Sequence, residues 1–321
     1  MVRFALRRLG STLLLLWVVL TSTFFLLHLA PGDPLAIYDQ PGLSEEQRQN
    51  LRAYYGLDKP VVVQYAIWFG AVLRGDWGTS IAHQRSAARV VAEAFPNTVL
   101  LVAAVLLVEY GLGVSLGVAS AARPASAIDH HIRALTLVFF AMPVFWLGIV
   151  LIDLFGVRWD IFPVSQMRSD EAATWPWHRR ALDLAHHLVL PAATLGLARC
   201  AAVTRYVRTG LLEILSQDYI RTARAIGLGP GRVLWVHALK NAVGPLIQRF
   251  GFTLPGLLSG TIVTEFVFAW PGLGRATITA VFARDYPVVL AVTGLSGVIV
   301  VASTLTADLL HAAVDPRVRD P

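Results

Sequence analysis

The stretch LGSTLLLLWVVLTSTFFLLHL, Leu9–Leu29, carries no charge along 21 residues. A helix needs about 20 predominantly apolar residues to cross the hydrocarbon core of a bilayer. The run is longer than the usual h-region of a secretory signal, about 7–15 residues, and no small-x-small cleavage site follows it cleanly. It reads as a retained membrane helix, and it sets the solvent for the rest of the chain.

Five more stretches of similar length follow: Thr98–Ser120, Arg133–Val157, Leu188–Val207, Ala242–Phe268 and Pro287–Ala313. The composition agrees, with 55% hydrophobic and 15% charged residues and a mean hydropathy of +0.59 over 321 residues. Soluble domains carry about 25% charged residues. The expected fold is an all-α membrane protein with six transmembrane helices. Cys200 is the single cysteine, which excludes an intrachain disulfide. The net charge of +6 fits basic cytoplasmic loops better than a nucleic-acid surface, so no nucleic-acid partner is expected.

Arginines set the orientation. Arg3, Arg7 and Arg8 precede the first stretch and place the N-terminus inside. Arg123, the loop with Arg208, Arg221, Arg224, Arg232 and Lys240, and the tail with Arg317 and Arg319 then fall on the same side. Pro31–Phe95 and Arg158–His187 fall outside. The organisation expected is a first helix over 1–30, an outer region over 31–95, a core over 96–315 that includes the loop 208–241, and a cytoplasmic tail over 316–321.

The first outer loop has its own helix signals. SEEQRQNLRAYYGLDKP, Ser44–Pro60, begins with an N-cap serine followed by acidic residues, and Gly56 stops it. VVVQYAIWFGAVLRGDWG, residues 61–78, reads as a second amphipathic outer-loop helix ending near Gly75. Trp68 and Trp77, with Trp175 and Trp177 of TWPWHRR in the other outer loop, suggest placement at the membrane interface.

Catalytic and metal chemistry is missing. Lys59 and Lys240 are the two lysines, and neither stands in a phosphate loop. No Cys pair or His-Glu-x-x-His occurs, and the neighbours His130–His131 and His186–His187 would point apart on a helix. No metal and no catalytic residue is expected. GVSLG, Gly113–Gly117, matches a nucleophile elbow in form only, since it lies within an apolar helix. Gly113 with Gly117, and Gly256 with Gly260, read as close-packing faces.

Charges within the stretches are Glu109, Asp153, Arg199, Glu265 and Asp308. Each is costly in lipid and should face a bundle interior or a water-filled path. Glu265 and Asp308 lie near stretch ends, where exposure at the interface explains them equally well. Arg199 is mid-stretch, with Glu109, Asp153 or Glu265 as the acids to pair with it. Pro143, Pro191, Pro245 and Pro255 suggest kinks in a bundle that moves.

One segment does not belong to the apolar pattern. DYIRTARAIGL, Asp218–Leu228, is a short basic helix with Ser216 or Asp218 as its cap and Gly227 as its stop. Tyr219, Ala223 and Ile226 share one face; Arg221 and Arg224 lie on another side. About ten residues are marginal as an isolated helix. Something must hold it, either the lipid surface or a protein groove.

With these segments in place the chain resembles the inner-membrane permease subunits of binding-protein-dependent ABC importers, in the dipeptide/oligopeptide group. The resemblance rests on LHLAPGDP (Leu27–Pro34), YGLDKPVVVQY (Tyr55–Tyr65), LRGDWGTS (Leu73–Ser80), QDYIRTARAIGL (Gln217–Leu228), FAWPGLG (Phe268–Gly274) and AAVDPRVR (Ala312–Arg319). It covers essentially the whole chain. In the family's loop signature, Glu-Ala-Ala-x-x-x-Gly, the first three positions are Arg221, Thr222 and Ala223, and the glycine is Gly227. Ile226 stands where the group often has lysine.

The resemblance implies a type I ABC importer permease fold in a bacterial or archaeal inner membrane, with both termini cytoplasmic. The segment with Asp218, Tyr219, Arg221, Thr222, Ala223, Arg224, Ile226 and Gly227 would be a coupling helix docked in an ATPase subunit. It further implies two ABC ATPase subunits that hold ATP and Mg, a second related permease subunit forming a heterodimer, and an extracytoplasmic substrate-binding protein. The chain itself needs no cofactor. Glu109, Asp153, Arg199 and Glu265 are the translocation-pathway candidates. Peptides lead as substrate, with nickel chelates, glutathione or some sugars open in the same group. A membrane enzyme lacks its catalytic residues here. A proton-coupled secondary transporter would leave the short basic helix without a role and usually shows an internal repeat, which is not seen.

Overall fold

The computed structural model describes residues 2–35, 44–242 and 261–314. Pro245, Pro255, Gly256, Gly260, most of the Ala242–Phe268 stretch and the 316–321 tail lie outside the described residues, as does the side chain of Asp308. Among the described residues the chain is helical, with one isolated bridge between Thr79 and Ser86. It divides into two units, Met1–Asn97 with Gly272–Pro321, and Thr98–Pro271.

The first unit is built on α1 (Val2–Leu29), which packs along the last helix, α11 (Tyr286–Val314). Between them in sequence come α2 (Glu45–Tyr54), α3 (Val61–Val72), the start of α4 (Ala87–Ala122) and α10 (Leu273–Phe282). Ser44 caps α2, and Gln47 completes a capping box. The second outer helix differs from the expected amphipathic one. α3 is apolar on every side, with no buried residue, and it exposes Val62 and Ile67. Its aromatic residues lie on α1. The Tyr65 hydroxyl accepts from Trp17 Nε1 at 3.1 Å and lies 2.8 Å from Thr21 Oγ1, and Trp68 stacks on Phe24 at 5.1 Å.

The loop before α4 is tied to the start of α11 by Asp285, which is fully buried. Its carboxylate accepts from the Ser80 hydroxyl and from the amides of Ile81 at 3.1 Å and Ala82 at 3.2 Å. This gives a physical reason for the TS end of LRGDWGTS. The tryptophan of that motif, Trp77, lies against Gly294 of α11, where any Cβ would overlap the indole.

The second unit comprises the rest of α4, then α5 (Ala127–Ala141), α6 (Val144–Leu151), α7 (Trp177–Leu215), α8 (Asp218–Ala225) and α9 (residues 230–242). The segment from 261 to 267 is also helical. α4 and α7 run parallel and in close approach. A Cβ on Gly113 would stand 2.6 Å from Val203 Cβ, and one on Gly117 2.7 Å from Val207 Cβ. Gly196 of α7 accommodates Val108 of α4 in return. The GVSLG segment is thus a packing face.

The Arg133–Val157 stretch, in which Pro143 suggested a kink, is a bent pair. α5 stops at Ala141, α6 starts at Val144, and the two axes differ by 106°. Pro143 is the cause: it lacks an N–H and drives the preceding residue from helical ψ. Met142 has ψ 134. The segment Ile152–Arg158 continues α6 as a π-helix. The pair covers the length of one span. Asp129 near its start bonds Arg208 of α7, and the Ile161 carbonyl just beyond its end is 2.7 Å from His186 Nε2. Those α7 positions are 22 residues apart, about 33 Å of helix, which matches a hydrocarbon core of about 30 Å.

α7 extends well beyond the Leu188–Val207 stretch. Its 39 residues span about 58 Å, so it takes in the WHRR end of TWPWHRR, from Trp177, and part of the following loop. By length and composition four helices can cross a membrane, or five with the bent pair, among the described residues. The candidate fifth stretch of the sequence lies mostly outside them.

Candidate functional site

Two sets of polar residues on and beside α7 have a geometry beyond packing. The first is a pair of buried ionic ties between α7 and its neighbours. Arg199 Nε donates to Glu109 Oε2 of α4 at 2.9 Å. Glu109 is 2% exposed, and the Arg199 side chain retains 30%. A buried carboxylate without a partner would be costly, and the guanidinium supplies one. Nine residues on, Arg208 forms a two-point contact with Asp129 of α5, Nε to Oδ1 and Nη2 to Oδ2, both 2.8 Å. Ser120 of α4 and the Ala125 amide also donate to Asp129, which is fully buried.

Of the four pathway candidates, the structure brings Glu109 and Arg199 together. Asp153 is elsewhere: its carboxylate pairs with Arg158 at 2.8 Å on the half-exposed π-helical segment. Glu265 is fully buried, so the interface explanation for it fails, and it accepts from Thr98 Oγ1 of α4 at 2.8 Å. The Asp129–Arg208 tie escaped the sequence reading, in which Arg208 counted as a loop charge. An aspartate close behind a serine at a helix start was the available signal, but it reads as a capping group. Its partner is 79 residues away.

The second set is α8 and its surroundings. The N-cap is Gln217, with extended φ/ψ and no side-chain bond, in place of the expected Ser216 or Asp218. Asp218 stands in the first turn, where the helix dipole favours an acid. The C-terminus is a Schellman closure. The Leu228 amide reaches the Ala223 carbonyl at 3.2 Å, and the Gly227 amide reaches that of Arg224 at 3.0 Å. Gly227 has φ +87, which favours a residue without a Cβ.

The apolar face of α8 divides differently from the expected one. Ile220 and Ala223 are buried against Val203, Val207 and Leu211 of α7 and Val233 and Ala238 of α9. Tyr219 and Ile226 remain exposed, as do Arg221, Thr222 and Arg224. Ala223 therefore serves the chain's own bundle, and Ile220 is the anchor that sequence reading passed over. Ile220 with Ala223 fits helical spacing as well as Tyr219 with Ala223 and Ile226 does, so spacing alone did not decide which face turns inward. Asn241 of α9 donates to the Tyr219 hydroxyl at 3.1 Å and orients the ring. Arg221 and Asp218 pair at 3.1 Å on the surface. Among the described residues no group of three or more His, Cys, Asp or Glu could hold a metal ion.

The arrangement is a short surface helix, closed at its end and fastened by two side chains to a long helix with two ionic ties above it. Residues 113–320 match a family model described as binding-protein-dependent transport system inner membrane component. Residues 1–116 match its N-terminal companion. The oligopeptide transport system permease protein AppB of Bacillus subtilis is 38% identical over 313 residues, 97% of each chain. The dipeptide transport system permease protein DppB of Escherichia coli K12 is 37% identical over 336 residues, covering 99% of both. A di/tripeptide permease protein, DppB of Pseudomonas aeruginosa, is 34% identical with the same coverage. Among solved structures, an inward-facing MetNI methionine ABC transporter aligns with TM-score 0.47 and 21% identity, over 71% of this chain and 95% of that one.

Proposed function

The chain belongs to the binding-protein-dependent transport system inner membrane components, and from that premise we propose that it is a permease subunit of an ATP-driven importer that takes up peptides. The observation that carries this reading is end-to-end similarity to di- and oligopeptide permeases, 97–99% of both chains. A member of this family is a membrane component and not an enzyme by itself; ATPase subunits and an extracytoplasmic binding protein are its general partners. Beyond that, a second related permease completes a heterodimer, both termini are cytoplasmic, and six crossings include the bent pair α5–α6.

In this reading α8 is the coupling helix. Its exposed residues Tyr219, Arg221, Thr222, Arg224 and Ile226 meet the ATPase. Its buried residues Ile220 and Ala223 pass displacement to α7 and α9. α7 is rigidly joined to α4 by the glycine face and to α5 by Arg208–Asp129. A push on α8 therefore moves α7 with α4 and the start of α5 as one body. The break at Pro143 is where α6 can move relative to α5. Glu109 and Arg199 form a charge layer that the passing substrate meets, and Glu265 closes against α4 through Thr98. Hydrolysis of ATP with Mg takes place in the partner subunits.

The test is reconstitution of the permease pair, ATPases and binding protein in liposomes, with uptake of labelled dipeptide. Peptide-stimulated ATP hydrolysis and uptake support the reading. A nickel chelate or glutathione taken up in place of peptide would reassign the substrate. Uptake driven by a proton gradient without ATP would overturn the importer class.

A further inference from the structure

We propose that the cleft between α5 and α7 binds the headgroup of an anionic phospholipid, with the acyl chain along its apolar end. The cleft has a volume of about 720 Å³ and is lined by residues of these two helices. His130 and Arg133 of α5 and Arg205 and Arg208 of α7 line one end. Leu137 and Phe140 of α5, with Ala201 and Ala202 of α7, line the other.

The two helices agree on the order. The α5–α6 pair runs antiparallel to α7: Asp129 near its start meets Arg208, and Ile161 beyond its end meets His186, earlier on α7. Ascending α5 from that contact gives His130, Arg133, Leu137 and Phe140, and descending α7 gives Arg208, Arg205, Ala202 and Ala201. The basic side chains thus collect at the end next to the short Arg123 loop, and the apolar ones follow toward mid-membrane. Leu137 and Phe140 are 64% and 61% exposed, which suits side chains that meet acyl chains. A free anion would use the basic end only. An amphiphile uses both ends in the order in which they stand.

Two observations point to an unfilled requirement. Arg208 is committed to Asp129, but neither the Arg133 nor the Arg205 guanidinium has a hydrogen bond or ion pair among the described residues. Thr204, 2% exposed and in the cleft lining, has a buried hydroxyl without a partner. A phosphate offers acceptors to two arginines and to a hydroxyl at once. Basic pockets between membrane helices at the cytoplasmic side are suited to acidic headgroups.

The experiment uses the whole complex with its partner subunits, in nanodiscs of equal phosphatidylglycerol and phosphatidylcholine. Native mass spectrometry after detergent release counts the lipid retained. The wild-type complex should retain phosphatidylglycerol selectively. A basic side chain near an anionic surface contributes about 1 kcal/mol, so Arg133→Gln with Arg205→Gln should lower the preference about thirtyfold. These residues are exposed and unpaired, so folding should be unaffected. Leu137→Asp, which leaves the basic end intact, should also lose the lipid. If it does not, and millimolar inorganic phosphate displaces what is bound, the site takes free anions and the lipid assignment fails. Equal retention of phosphatidylglycerol in wild type and the double variant would also overturn it. So would cross-linking of position 137 to the partner permease, which would show that protein covers the cleft.

Discussion

The two ionic ties of α7 lie nine residues apart and differ in kind. Asp129 is fully enclosed and receives four donors: two from Arg208, one from Ser120 and one from the Ala125 amide. Those donors come from α7, α4 and the loop before α5. Among the described residues Glu109, almost as buried, is held by one contact, 2.9 Å to an arginine that remains 30% exposed. A carboxylate satisfied on all sides rigidifies the place where three helices meet. One held by a single guanidinium can exchange it for a substrate charge or water. The same helix thus carries a fully satisfied tie near α8 and a singly bonded one deeper in its apolar stretch, and in the proposed mechanism the second is the one that exchanges.

Removing the anchor should have the largest effect. Asp129→Ala leaves the half-buried Arg208 beside an empty position and takes a partner from Ser120, and inserted chain should accumulate several-fold less in the membrane. Immunoblotting of membranes measures it; normal accumulation would make the two ties equivalent. Next comes the contact between them. Gly113→Val forces a side chain into Val203 and should cost about 1–3 kcal/mol, since overpacked interfaces relax only partly. A lowered unfolding temperature of the purified complex would register it.

Breaking the deeper tie should spare the fold and damage transport. Glu109→Gln with Arg199→Gln removes both charges, and exchange of a buried pair for neutral groups is often close to neutral in stability. Membrane levels should stay near wild type while peptide uptake falls. Loss of protein in place of uptake would show that this tie too is structural. The smallest effect belongs to the exposed Asp218–Arg221 pair, for which surface ion pairs on a helix suggest about 0.3–0.5 kcal/mol. Arg221→Ala should leave stability unchanged within error and alter only ATPase association.

The contrast also explains what the sequence could and could not reveal. Long apolar runs with few charges allow one reading, so α1, α4 and α11 were legible, and so was the role of Gly113 and Gly117. The bend at Pro143 was half legible: proline marks a break, but nothing local says how far the next helix turns. The ends of α7 were hidden because helices continue past the bilayer with polar residues, as at TWPWHRR. Arg199 with Glu109 was readable because a lone mid-membrane arginine demands an acid. Arg208 with Asp129 was not, because each residue has a local explanation, one as a loop charge and the other as a cap. On α8 the closing glycine was plain, whereas the choice between Ile220 and Tyr219 as the inner residue depends on which side α7 and α9 occupy.

That last choice bears on the central claim, that α8 presents one face to an ATPase while the other is fastened to its own bundle. Single cysteines at 219, 220, 223 and 226 in a Cys200→Ser background, treated with a short bifunctional thiol reagent in membranes containing the whole complex, report it directly. The account predicts cross-links to the ATPase subunit from positions 219 and 226 and none from 220 and 223. Cross-links from 220 and 223, or none from 226 when the complex is intact, would contradict it.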